Sequence, residues 1–470
     1  MPAPPDRSES LGAFLAAHPE YERTSALDVL RQREFGRLDA QGQTYIDYTG
    51  SGLYGSSQVE RHGEALLAQV LGNPHSDSPA SRQSTALVEQ CRRRVLGFFR
   101  ADPDEYALVF TANASHALKL VGESYPFRPR DLFLLTFDNH NSVNGIREFD
   151  RLKGARTVYV PMVPPELRVD EAVLDSHFEQ ATRGGHNLFA FPAQSNFSGV
   201  QHPLEWIERA QVRGFDVLLD AAAFVPTNRL DLSRFHPDFV ALSFYKMFGY
   251  PTGVGALLAR HSALRKLHRP WFAGGTIETA SVQADRYVFS TGSAGFEDGT
   301  LDFANIPAIE FGLDLIESAG LDTVHERVRL LTGWIIERLL ELRHSNGKPL
   351  VRLYGPAHTQ RRGGTLAVNF YDASDRVIDH HEVERRATDR KMSIRSGCFC
   401  NPGAGELALG LSRGELENCF AKSPRMTRDD LQLCIDPKAA GAVRISLGLA
   451  SNFADALALV EFAASLTEKA

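Results

Sequence analysis

Four short segments of the chain place polar or reactive side chains directly after apolar, β-prone runs. They contain Ser115, His140, Asp220 and the neighbouring pair Ser243 and Lys246. In an open parallel sheet, ligands bind outside the carboxyl ends of the strands. The pattern therefore predicts that these side chains share one binding site at one edge of a sheet.

The first segment, Thr111-Ala-Asn-Ala-Ser-His116, leads from a predicted strand into a predicted helix. Small and hydroxylated residues such as Ala114 and Ser115 leave backbone N–H groups and the helix dipole free to hold a phosphate. Taken alone, the segment favours ordinary helix capping, for which the same residue types are common. A phosphate site here therefore depends on the other segments.

Lys246 lies in the segment Ser243-Phe-Tyr-Lys-Met-Phe-Gly249, where most of its neighbours are apolar or aromatic. Such neighbours exclude water, and desolvation lowers the pKa of a lysine and makes its neutral amine available as a nucleophile. An imine-forming lysine requires this environment. The segment therefore predicts a lysine that can bond covalently to a carbonyl group.

His140 and Asp220 extend the pattern. A histidine here can stack its flat ring on a planar ligand, although a lone loop histidine is more often solvated. Asp220 ends an apolar strand, where a carboxylate is costly to bury unless it caps the next turn or pairs with a cation. Together with Lys246 and the phosphate turn, these residues predict a pyridoxal phosphate site. The aspartate would keep the ring nitrogen protonated, and the lysine would carry the cofactor as a Schiff base.

A fifth segment, Ile394-Arg-Ser-Gly-Cys-Phe-Cys-Asn-Pro-Gly403, contains a Cys-x-Cys pair. No second pair stands at zinc spacing, and alternate cysteines make a poor disulfide. The functional interpretation is a nucleophilic thiol beside Arg395, whose guanidinium can hold a carboxylate in bidentate fashion. The alternative is that both cysteines are small, partly buried apolar residues. The predicted pyridoxal phosphate site favours the nucleophilic thiol.

Strand-like and helical patterns alternate between residues 106 and 258, which is typical of βα units on a mainly parallel sheet. Continuous apolar runs predict doubly covered strands at 106–110, 131–136, 157–160, 187–192, 216–220 and 238–243. Helical spacing predicts helices at 84–100 and 203–213, followed by two helices over 306–342 that break near Gly320. A smaller unit then follows, with strands at 365–371 and 443–447 and a helix at 454–468.

The composition excludes several classes of protein. The chain has 470 residues, 43% hydrophobic and 23% charged, with five cysteines and a formal net charge of −7. Sparse cysteines exclude a disulfide scaffold and favour a reducing compartment. No apolar run approaches the roughly 18 residues of a membrane span, and the N-terminus has no signal-peptide core. Scattered basic residues argue against nucleic-acid binding. We therefore expect a cytoplasmic protein that binds small molecules or other proteins.

With these segments identified, the sequence resembles class V aminotransferase-fold enzymes of the cysteine desulfurase group. It is most similar to the N-terminal, desulfurase-like half of molybdenum cofactor sulfurases. The motifs that carry the resemblance are Gly72-Asn-Pro-His-Ser76, Phe191-Pro-Ala-Gln-Ser-Asn-Phe-Ser-Gly199, Leu219-Asp-Ala-Ala-Ala-Phe-Val-Pro226, Ser243-Phe-Tyr-Lys-Met-Phe-Gly249, Arg395-Ser-Gly-Cys-Phe-Cys-Asn-Pro-Gly403 and Val443-Arg-Ile-Ser-Leu-Gly448.

The resemblance implies an α/β protein of the pyridoxal-phosphate-dependent transferase fold type I. We predict an N-terminal segment (residues 1–44), a large cofactor-binding domain with a mainly parallel sheet (45–305) and a smaller α+β domain carrying Cys400 (306–470). The segment 404–442, which follows Cys400, is open to two interpretations: a mobile arm that carries sulfur outward, or an ordinary surface insertion.

The resemblance also implies a role for each motif residue. Lys246 bonds to the cofactor, His140 stacks on its ring, Asp220 pairs with its pyridinium, and Asn196 lies near its phenolic oxygen. The cofactor phosphate is surrounded by Ala114, Ser115 and Ser243, and Thr276 reaches it from a second subunit. The substrate carboxylate is bound by Arg395 and Asn196, and Cys400 accepts sulfur. These roles imply a homodimer with sites at its interface.

The implied reaction converts L-cysteine to L-alanine. Cysteine displaces Lys246, which moves the Cα proton, and the Cys400 thiolate attacks the substrate sulfur to leave a persulfide for an unidentified acceptor. Cys398 ranks below Cys400, because many simpler desulfurases have histidine there.

Three departures accompany the resemblance. Ala223 stands where many desulfurases have glutamine, and Gly405 where the sulfurases commonly have a further cysteine. The chain also ends soon after Ser446, so we expect no C-terminal molybdenum-cofactor-binding domain.

Two other functions remain open at this point. A pyridoxal phosphate enzyme of the same fold could be a C–S lyase, a selenocysteine lyase or an epimerase, because fold does not determine function. A non-catalytic scaffold is the third possibility. It is disfavoured because a site that no longer binds a cofactor has no chemical reason to keep a lysine that is costly to bury.

Overall fold

A computed structural model describes residues 7–423, 425–435 and 438–467. At its centre is a seven-stranded sheet. In spatial order its strands are Tyr106–Thr111, Gly255–Arg260, Phe239–Ser243, Phe215–Asp220, Asn187–Pro192, Leu132–Thr136 and Arg156–Val160. Neighbouring strands pair in parallel except at Gly255–Arg260, which runs antiparallel to the strand on each side.

The six predicted strands of this sheet are confirmed to within one residue at each end. The seventh, Gly255–Arg260, was not predicted. Its sequence, Gly-Ala-Leu-Leu-Ala-Arg, is rich in residues that favour helix when considered locally. Pairing on both sides overrides that preference, because strand formation depends on the neighbouring strands more than on intrinsic propensity.

Alternate side chains of the central strands pack into two cores, because successive residues of a strand point to opposite faces. On one face, Val88 and Val95 of the helix Pro79–Phe98 belong to the same core as the strand residues. On the other face, the helix Ala114–Ser124 contributes Ala117 and Val121. The sheet is therefore covered on both sides, as its apolar strands require.

The smaller domain has a four-stranded antiparallel sheet in the order Val351–Tyr354, Thr365–Phe370, Ala442–Ser446 and Arg395–Gly397. Three helices share its core, namely Ala308–Ala319, Leu321–Glu341 and Phe453–Ala464. The predicted break at Gly320 is confirmed, and this residue has a φ of +74° that favours glycine. The predicted C-terminal helix is also confirmed, although residue 468 lies outside the described residues.

The predicted helix at 84–100 begins earlier, at Pro79, because Ser78 caps it with a side chain that accepts the Ser81 N–H. The helix predicted at 203–213 is limited to Trp206–Gln211.

The remaining helices are short segments between these elements and at the N-terminus: Arg7–Ala17, Ala26–Phe35, Arg37–Ala40, Ser56–Ala68, Asn141–Asn144, Ile146–Leu152, Glu171–Phe178, Phe244–Phe248, His261–Leu264, His380–Asp389, Pro402–Ala408, Arg413–Phe420 and Arg428–Ile435, with 3₁₀ turns at Pro19–Thr24 and Gly292–Phe296. The remaining strands are Thr44–Tyr45, Met162–Val163, Arg168–Val169, Ile277–Ser281, Arg286–Phe289 and Met392–Ser393. None of the helices in the described ranges is both long and apolar enough to cross a bilayer.

The N-terminal residues pack with the smaller domain. Phe14, Leu27 and Phe35 belong to its core, and the strand Thr44–Tyr45 pairs in parallel with Met392–Ser393. The chain thus passes through the smaller domain before it reaches the large one. This path brings the residues that follow Tyr45 close to the strand that carries Arg395.

The described part of the segment 404–442 contains the end of the helix Pro402–Ala408 and two further short helices, Arg413–Phe420 and Arg428–Ile435. A disulfide between Cys419 and Cys434 joins these two further helices. Sequence reasoning did not predict this bond, since it considered cysteine number and spacing without the helices that bring the two residues together. Cys91, Cys398 and Cys400 are free thiols.

Candidate active site at the strand ends

A cavity of about 180 Å³ opens at the carboxyl ends of the central strands. We call it the strand-end pocket. Its lining includes seven of the residues predicted from the sequence, together with Gln194, Ala222 and Ala223; the seven are Ala114, Ser115, His140, Asn196, Asp220, Ser243 and Lys246. The predicted convergence of four strand-end segments on one site is thus a feature of the structure.

One end of the pocket is the N-terminus of the helix Ala114–Ser124. Asn113 caps this helix by accepting the His116 N–H at 2.9 Å. The Ala114 N–H donates to the Ser243 hydroxyl at 2.8 Å, and the Ser115 and Ser142 hydroxyls lie 2.6 Å apart. Backbone N–H groups, three hydroxyls and the positive end of the helix dipole together can bind a phosphate.

Asp220 lies at the middle of the pocket. Its Oδ1 accepts the Ala222 N–H at 3.0 Å, and its side chain is buried. The sequence left open whether this carboxylate caps a turn or pairs with a cation, and the structure shows the first of these contacts. Ala222 and Ala223 are small, so the wall beside Asp220 leaves room for a flat ring.

His140 also lines the pocket, and its hydrogen bonding fits a neutral imidazole. Its Nδ1 accepts the Ser142 N–H at 3.1 Å, which leaves the ring proton on Nε2. Burial lowers the pKa of His140, and the positive charges of Lys246 and Arg444 add to this effect, whereas Asp220 opposes it. A neutral, oriented imidazole is suited to stacking on a planar ring.

Lys246 lies on the short helix Phe244–Phe248, whose Phe244, Met247 and Phe248 are buried. Desolvation lowers the pKa of Lys246 as predicted; Asp220 opposes the shift, and Arg444 adds to it. The lysine is therefore prepared to act as a neutral amine.

Close packing holds the turn that follows Lys246. Gly249 has a φ of +76°, and a Cβ atom there would lie 2.3 Å from the Tyr54 nitrogen. The Gly52 N–H donates to the Tyr245 carbonyl at 3.1 Å. Residues 52–54 therefore form a wall against the lysine turn, which leaves that turn little freedom to move.

The Cys400 loop, residues 398–401, lies beside the pocket. Cys400 is exposed, and both Phe399 and Cys400 have a φ of +56°. The Cys400 carbonyl accepts the Asn141 N–H at 2.7 Å, and the Phe399 carbonyl accepts from Asn196 Nδ2 at 2.8 Å. Bonds to the large domain therefore compensate for the left-handed backbone.

Asn401 completes this contact between domains. Its Nδ2 donates to the Asp138 carbonyl at 2.7 Å and to Asn196 Oδ1 at 2.8 Å, and the side chain is fully buried. Sequence reasoning did not assign Asn401 a role. Its place next to Cys400 was the one available signal.

Besides Cys400, two predicted residues lie outside the lining of the pocket, Arg395 and Thr276. Arg395 is half-exposed and forms a bidentate ion pair with Asp47. Thr276 is buried in its own turn, where its hydroxyl donates to the Ala273 carbonyl at 2.8 Å. The structure therefore does not bring Thr276 into this chain's own pocket.

Arg444 was also missed by the sequence analysis, although it belongs to the quoted motif Val443-Arg-Ile-Ser. It is buried, pairs with Asp47 at 3.0 Å and donates to the Asn196 carbonyl at 3.2 Å. Its guanidinium lies 4.9 Å from the centre of the Phe399 ring. Two guanidiniums, those of Arg395 and Arg444, thus adjoin the site.

Comparisons with known proteins agree with this geometry. Residues 44–459 match the aminotransferase class-V family. The molybdenum cofactor sulfurase of Solanum lycopersicum is 35% identical over 469 residues, covering 93% of this chain and 57% of the relative. The chain spans little more than half the length of the curated relatives it matches.

Two solved structures share the fold. The apo cysteine desulfurase from Thermococcus onnurineus NA1 has a TM-score of 0.77 at 24% identity, covering 93% of this chain and 97% of that one. A C-DES mutant with glycine covalently linked to its PLP cofactor has a TM-score of 0.70 at 18% identity, covering 92% and 98%. The chain therefore belongs to the aminotransferase class-V family and has the fold of the cysteine desulfurases.

Proposed function

We propose that the protein is a pyridoxal-phosphate-dependent cysteine desulfurase-like sulfurtransferase, which converts L-cysteine to L-alanine and forms a persulfide on Cys400. The observation that carries this proposal is the position of the Cys400 loop. Asn141, which bonds to the Cys400 carbonyl, directly follows His140 of the pocket. An exposed thiol therefore lies at the rim of the pocket that holds Lys246.

The pocket fits pyridoxal phosphate at each of its parts. The N-terminus of the helix Ala114–Ser124 and the Ser115 and Ser243 hydroxyls would hold the phosphate. Asp220 Oδ1 bonds to a backbone N–H, and the other carboxylate oxygen would accept from the ring nitrogen. His140 would cover the ring, and Asn196 would lie near its phenolic oxygen. When bound, the cofactor supplies an electron sink for charge that develops on the substrate.

The residues of the chain perform the remaining steps. Neutral Lys246 accepts the substrate Cα proton and returns a proton to carbon. The Cys400 thiolate attacks the substrate sulfur, so that an S–S bond forms as the Cβ–S bond breaks and its electron pair stays with carbon. Protonation of that carbon gives the methyl group of alanine. The sulfur remains on Cys400 as a persulfide.

Arg395 and Arg444 would bind the substrate carboxylate, with Asn196 beside them. Both guanidiniums lower the pKa of Lys246, so their charges act on the pocket even though their side chains lie next to its lining. An α-carboxylate near them would offset this effect. Carboxylate binding and the protonation of Lys246 are therefore expected to be coupled.

The persulfide is passed to an acceptor. The names of the curated relatives make molybdenum cofactor the first acceptor to test, either free or bound to another protein. A reducing compartment such as the cytoplasm would keep Cys400 in the thiol form that the reaction requires, and it would also favour the reduced form of Cys419 and Cys434, which form a disulfide in the structure.

A homodimer would supply Thr276 to the phosphate of the neighbouring subunit. Thr276 directly precedes a hairpin, Ile277–Ser281 and Arg286–Phe289, around which large apolar side chains are exposed: Trp271, Phe272, Val282, Tyr287 and Val288. Val282 is 99% exposed. Contiguous exposed apolar surface marks an interface. Val282→Asp should convert a dimer to monomers in sedimentation equilibrium and weaken cofactor binding; a wild-type monomer would contradict the assignment.

The proposed function is tested with three variants of the cofactor-loaded protein. Mixing wild type with L-cysteine should give alanine and one protein-bound sulfane sulfur. Cys400→Ala should lose the persulfide, and its control Cys398→Ala should retain it. Lys246→Ala should lose alanine formation by about 10⁴-fold, the upper range for a general acid–base group.

Other outcomes would identify the alternatives. Turnover that survives in Cys400→Ala but not in Lys246→Ala would indicate a lyase or an epimerase. A protein that fails to bind pyridoxal phosphate would indicate a scaffold.

A further inference from the structure

Asp47 holds two guanidiniums at once. Arg395 donates to Asp47 Oδ2 through Nε at 3.0 Å and through Nη2 at 2.7 Å. Arg444 donates to Asp47 Oδ1 through Nη2 at 3.0 Å. We call these three residues the charge cluster. Two cations share one anion, so the cluster carries a net charge of +1.

The position of this carboxylate is fixed from several sides. The Asp47 carbonyl accepts the N–H groups of Gly50 and Ser51 at 2.9 and 3.2 Å, which closes a tight turn. A Cβ atom on Gly50 would lie 2.5 Å from Asp47 Oδ2 and 2.6 Å from Arg395 Nη2, so a side chain at this position would displace the ion pair. The Asp47 carboxylate thus has little freedom to leave the two guanidiniums.

The cluster lies partly out of water. The side chains of Asp47 and Arg444 are 9% and 3% exposed, whereas that of Arg395 is 50% exposed. Charges interact strongly where water is excluded. Removing the anion of such a pair leaves an uncompensated buried cation. The charge of Asp47 therefore matters most to Arg444.

The cluster also adjoins the strand-end pocket. Arg444 donates to the Asn196 carbonyl, and Asn196 lines the pocket. The turn after Asp47 continues to Gly52, whose N–H donates to Tyr245, the residue before Lys246. The charges that face Lys246 are those of Asp220, Arg444, Cys400 and Arg395, and the neutral His140 lines the same pocket.

We propose that Asp47 is a positioning residue that sets the charge of the substrate-carboxylate subsite. It holds Arg395 and Arg444 side by side and neutralises one of their two charges, which leaves a single positive charge for one α-carboxylate. This inference rests on the proposed function, since it concerns the same substrate site. Asp47 touches neither the substrate nor the cofactor and acts through the two arginines.

The test is Asp47→Asn, which removes the charge and keeps the shape. Its matched control is Asp455→Asn, which neutralises an equally buried carboxylate that pairs with Arg31 at 2.5 Å in the same core. In cofactor-loaded protein, visible absorbance reports both L-alanine binding and the pKa of the Lys246–cofactor linkage. Melting temperature in acetate reports carboxylate binding to cofactor-free protein.

In Asp47→Asn, the additional positive charge should tighten L-alanine binding by about tenfold. Two unit charges at short range in a protein attract each other by more than the free energy that corresponds to a tenfold change in affinity. The same charge should lower the pKa of the Lys246–cofactor linkage. Acetate should raise the melting temperature of this variant more than that of wild type. Asp455→Asn should lower the melting temperature measured without acetate. It should leave L-alanine binding, the pKa of the Lys246–cofactor linkage and the acetate-induced rise in melting temperature as in wild type.

The signs of these effects separate charge from mere support. If Asp47 has only a structural role, the two arginines should move away from the subsite in Asp47→Asn. L-alanine binding should then weaken, and the pKa of the Lys246–cofactor linkage should rise. That result, or unchanged binding, would overturn the proposal. None of these measurements requires sulfur transfer, so a protein that binds L-alanine but forms no persulfide would fail the proposed function and still test Asp47.

Discussion

The strand-end pocket and the Cys400 loop are built in opposite ways. Ser115, His140 and Lys246 each follow a strand of one sheet, and all three line one pocket. The Cys400 loop has no regular structure, and its backbone is left-handed at two successive residues. Four hydrogen bonds that cross between domains hold it in place: one each from Asn141 and Asn196, and two from Asn401.

This difference separates the two halves of the proposed reaction. The cofactor side is rigid before any ligand binds, which suits a group that must be aligned with Lys246. The sulfur side depends on a few hydrogen bonds and carries local strain, so it can leave the pocket at modest cost. A thiol that must first reach the substrate and then deliver sulfur elsewhere requires such a loop.

Among the changes that test this comparison, Asn401→Ala has the largest expected effect, because it breaks the contact between the strand-end pocket and the Cys400 loop. The change removes two hydrogen bonds to the large domain and leaves Asn196 Oδ1 and the Asp138 carbonyl without this donor. It also removes the cap of the helix Pro402–Ala408, where Asn401 Oδ1 accepts the Ala404 N–H. An unsatisfied buried group costs about 1–3 kcal/mol, which corresponds to roughly a tenfold to hundredfold loss of the docked loop. Persulfide formation in a single turnover should slow by that factor, and the Cys400 thiol should react faster with iodoacetamide.

The control for this prediction is Asn452→Ala, which removes the cap of the helix Phe453–Ala464, away from the pocket. It should lower the stability of the fold and leave the reactivity of Cys400 unchanged. Cofactor affinity should be the same in both variants. If Asn401→Ala weakens cofactor binding as much as it slows sulfur transfer, the two regions are one unit and the comparison fails.

The same contrast explains what could be predicted from the sequence. Residues that follow a strand can be predicted locally, because an apolar run defines the strand and its end defines the site. Lys246, Asp220 and His140 were found in this way. The strand Gly255–Arg260 was missed, because its residues favour helix and only the neighbouring strands make it a strand.

The residues around the Cys400 loop depend on distant pairings. Asp47 meets Arg444 from the other end of the chain, where Asp47 pairs in parallel with Ser446 as an isolated bridge. No periodicity near Asp47 indicates that partner. Cys419 and Cys434 pair because two short helices pack together, which cysteine counting could not show.

A smaller effect should distinguish the buried pocket from the surface as the pH changes. Burial lowers the pKa of His140 below its ordinary value of 6.5. Below that value the unfolded chain binds a proton that the folded state does not, so the free energy of unfolding falls as pH decreases. One such group contributes at most about 1.4 kcal/mol per pH unit. His140→Asn should reduce this slope in urea unfolding of cofactor-free protein between pH 7 and 5.

The matched control is His358→Asn, which replaces an exposed histidine of the smaller domain. It removes one histidine without altering the pocket, so a reduced slope that is confined to His140→Asn assigns the effect to the pocket. An equal slope in wild type and His140→Asn would mean that water reaches the His140 ring. The strand-end pocket would then be no more rigid, and no better at excluding water, than the Cys400 loop.

The smallest effect on the active site is expected from the disulfide. Cys419 and Cys434 close a 15-residue separation, for which the loop-entropy model gives about 3 kcal/mol. This energy stabilises the helices Arg413–Phe420 and Arg428–Ile435. An ion pair joins Glu415 of the first helix to Lys438, which follows the second. Replacing both cysteines with serine should increase amide hydrogen exchange in these helices.

Turnover and cofactor affinity should change by less than about twofold in the double-serine variant, because the bonds that hold the Cys400 loop come from the large domain. Reduction of wild type with dithiothreitol should reproduce the exchange pattern. A cavity of about 210 Å³ is lined by residues of this segment and by Cys398, so it is one place where loosening of the helices could reach the loop. Turnover that falls together with the protection of the helix amides from exchange would show that the segment helps to hold the Cys400 loop. The loop would then depend on the smaller domain as much as on the bonds of Asn141, Asn196 and Asn401.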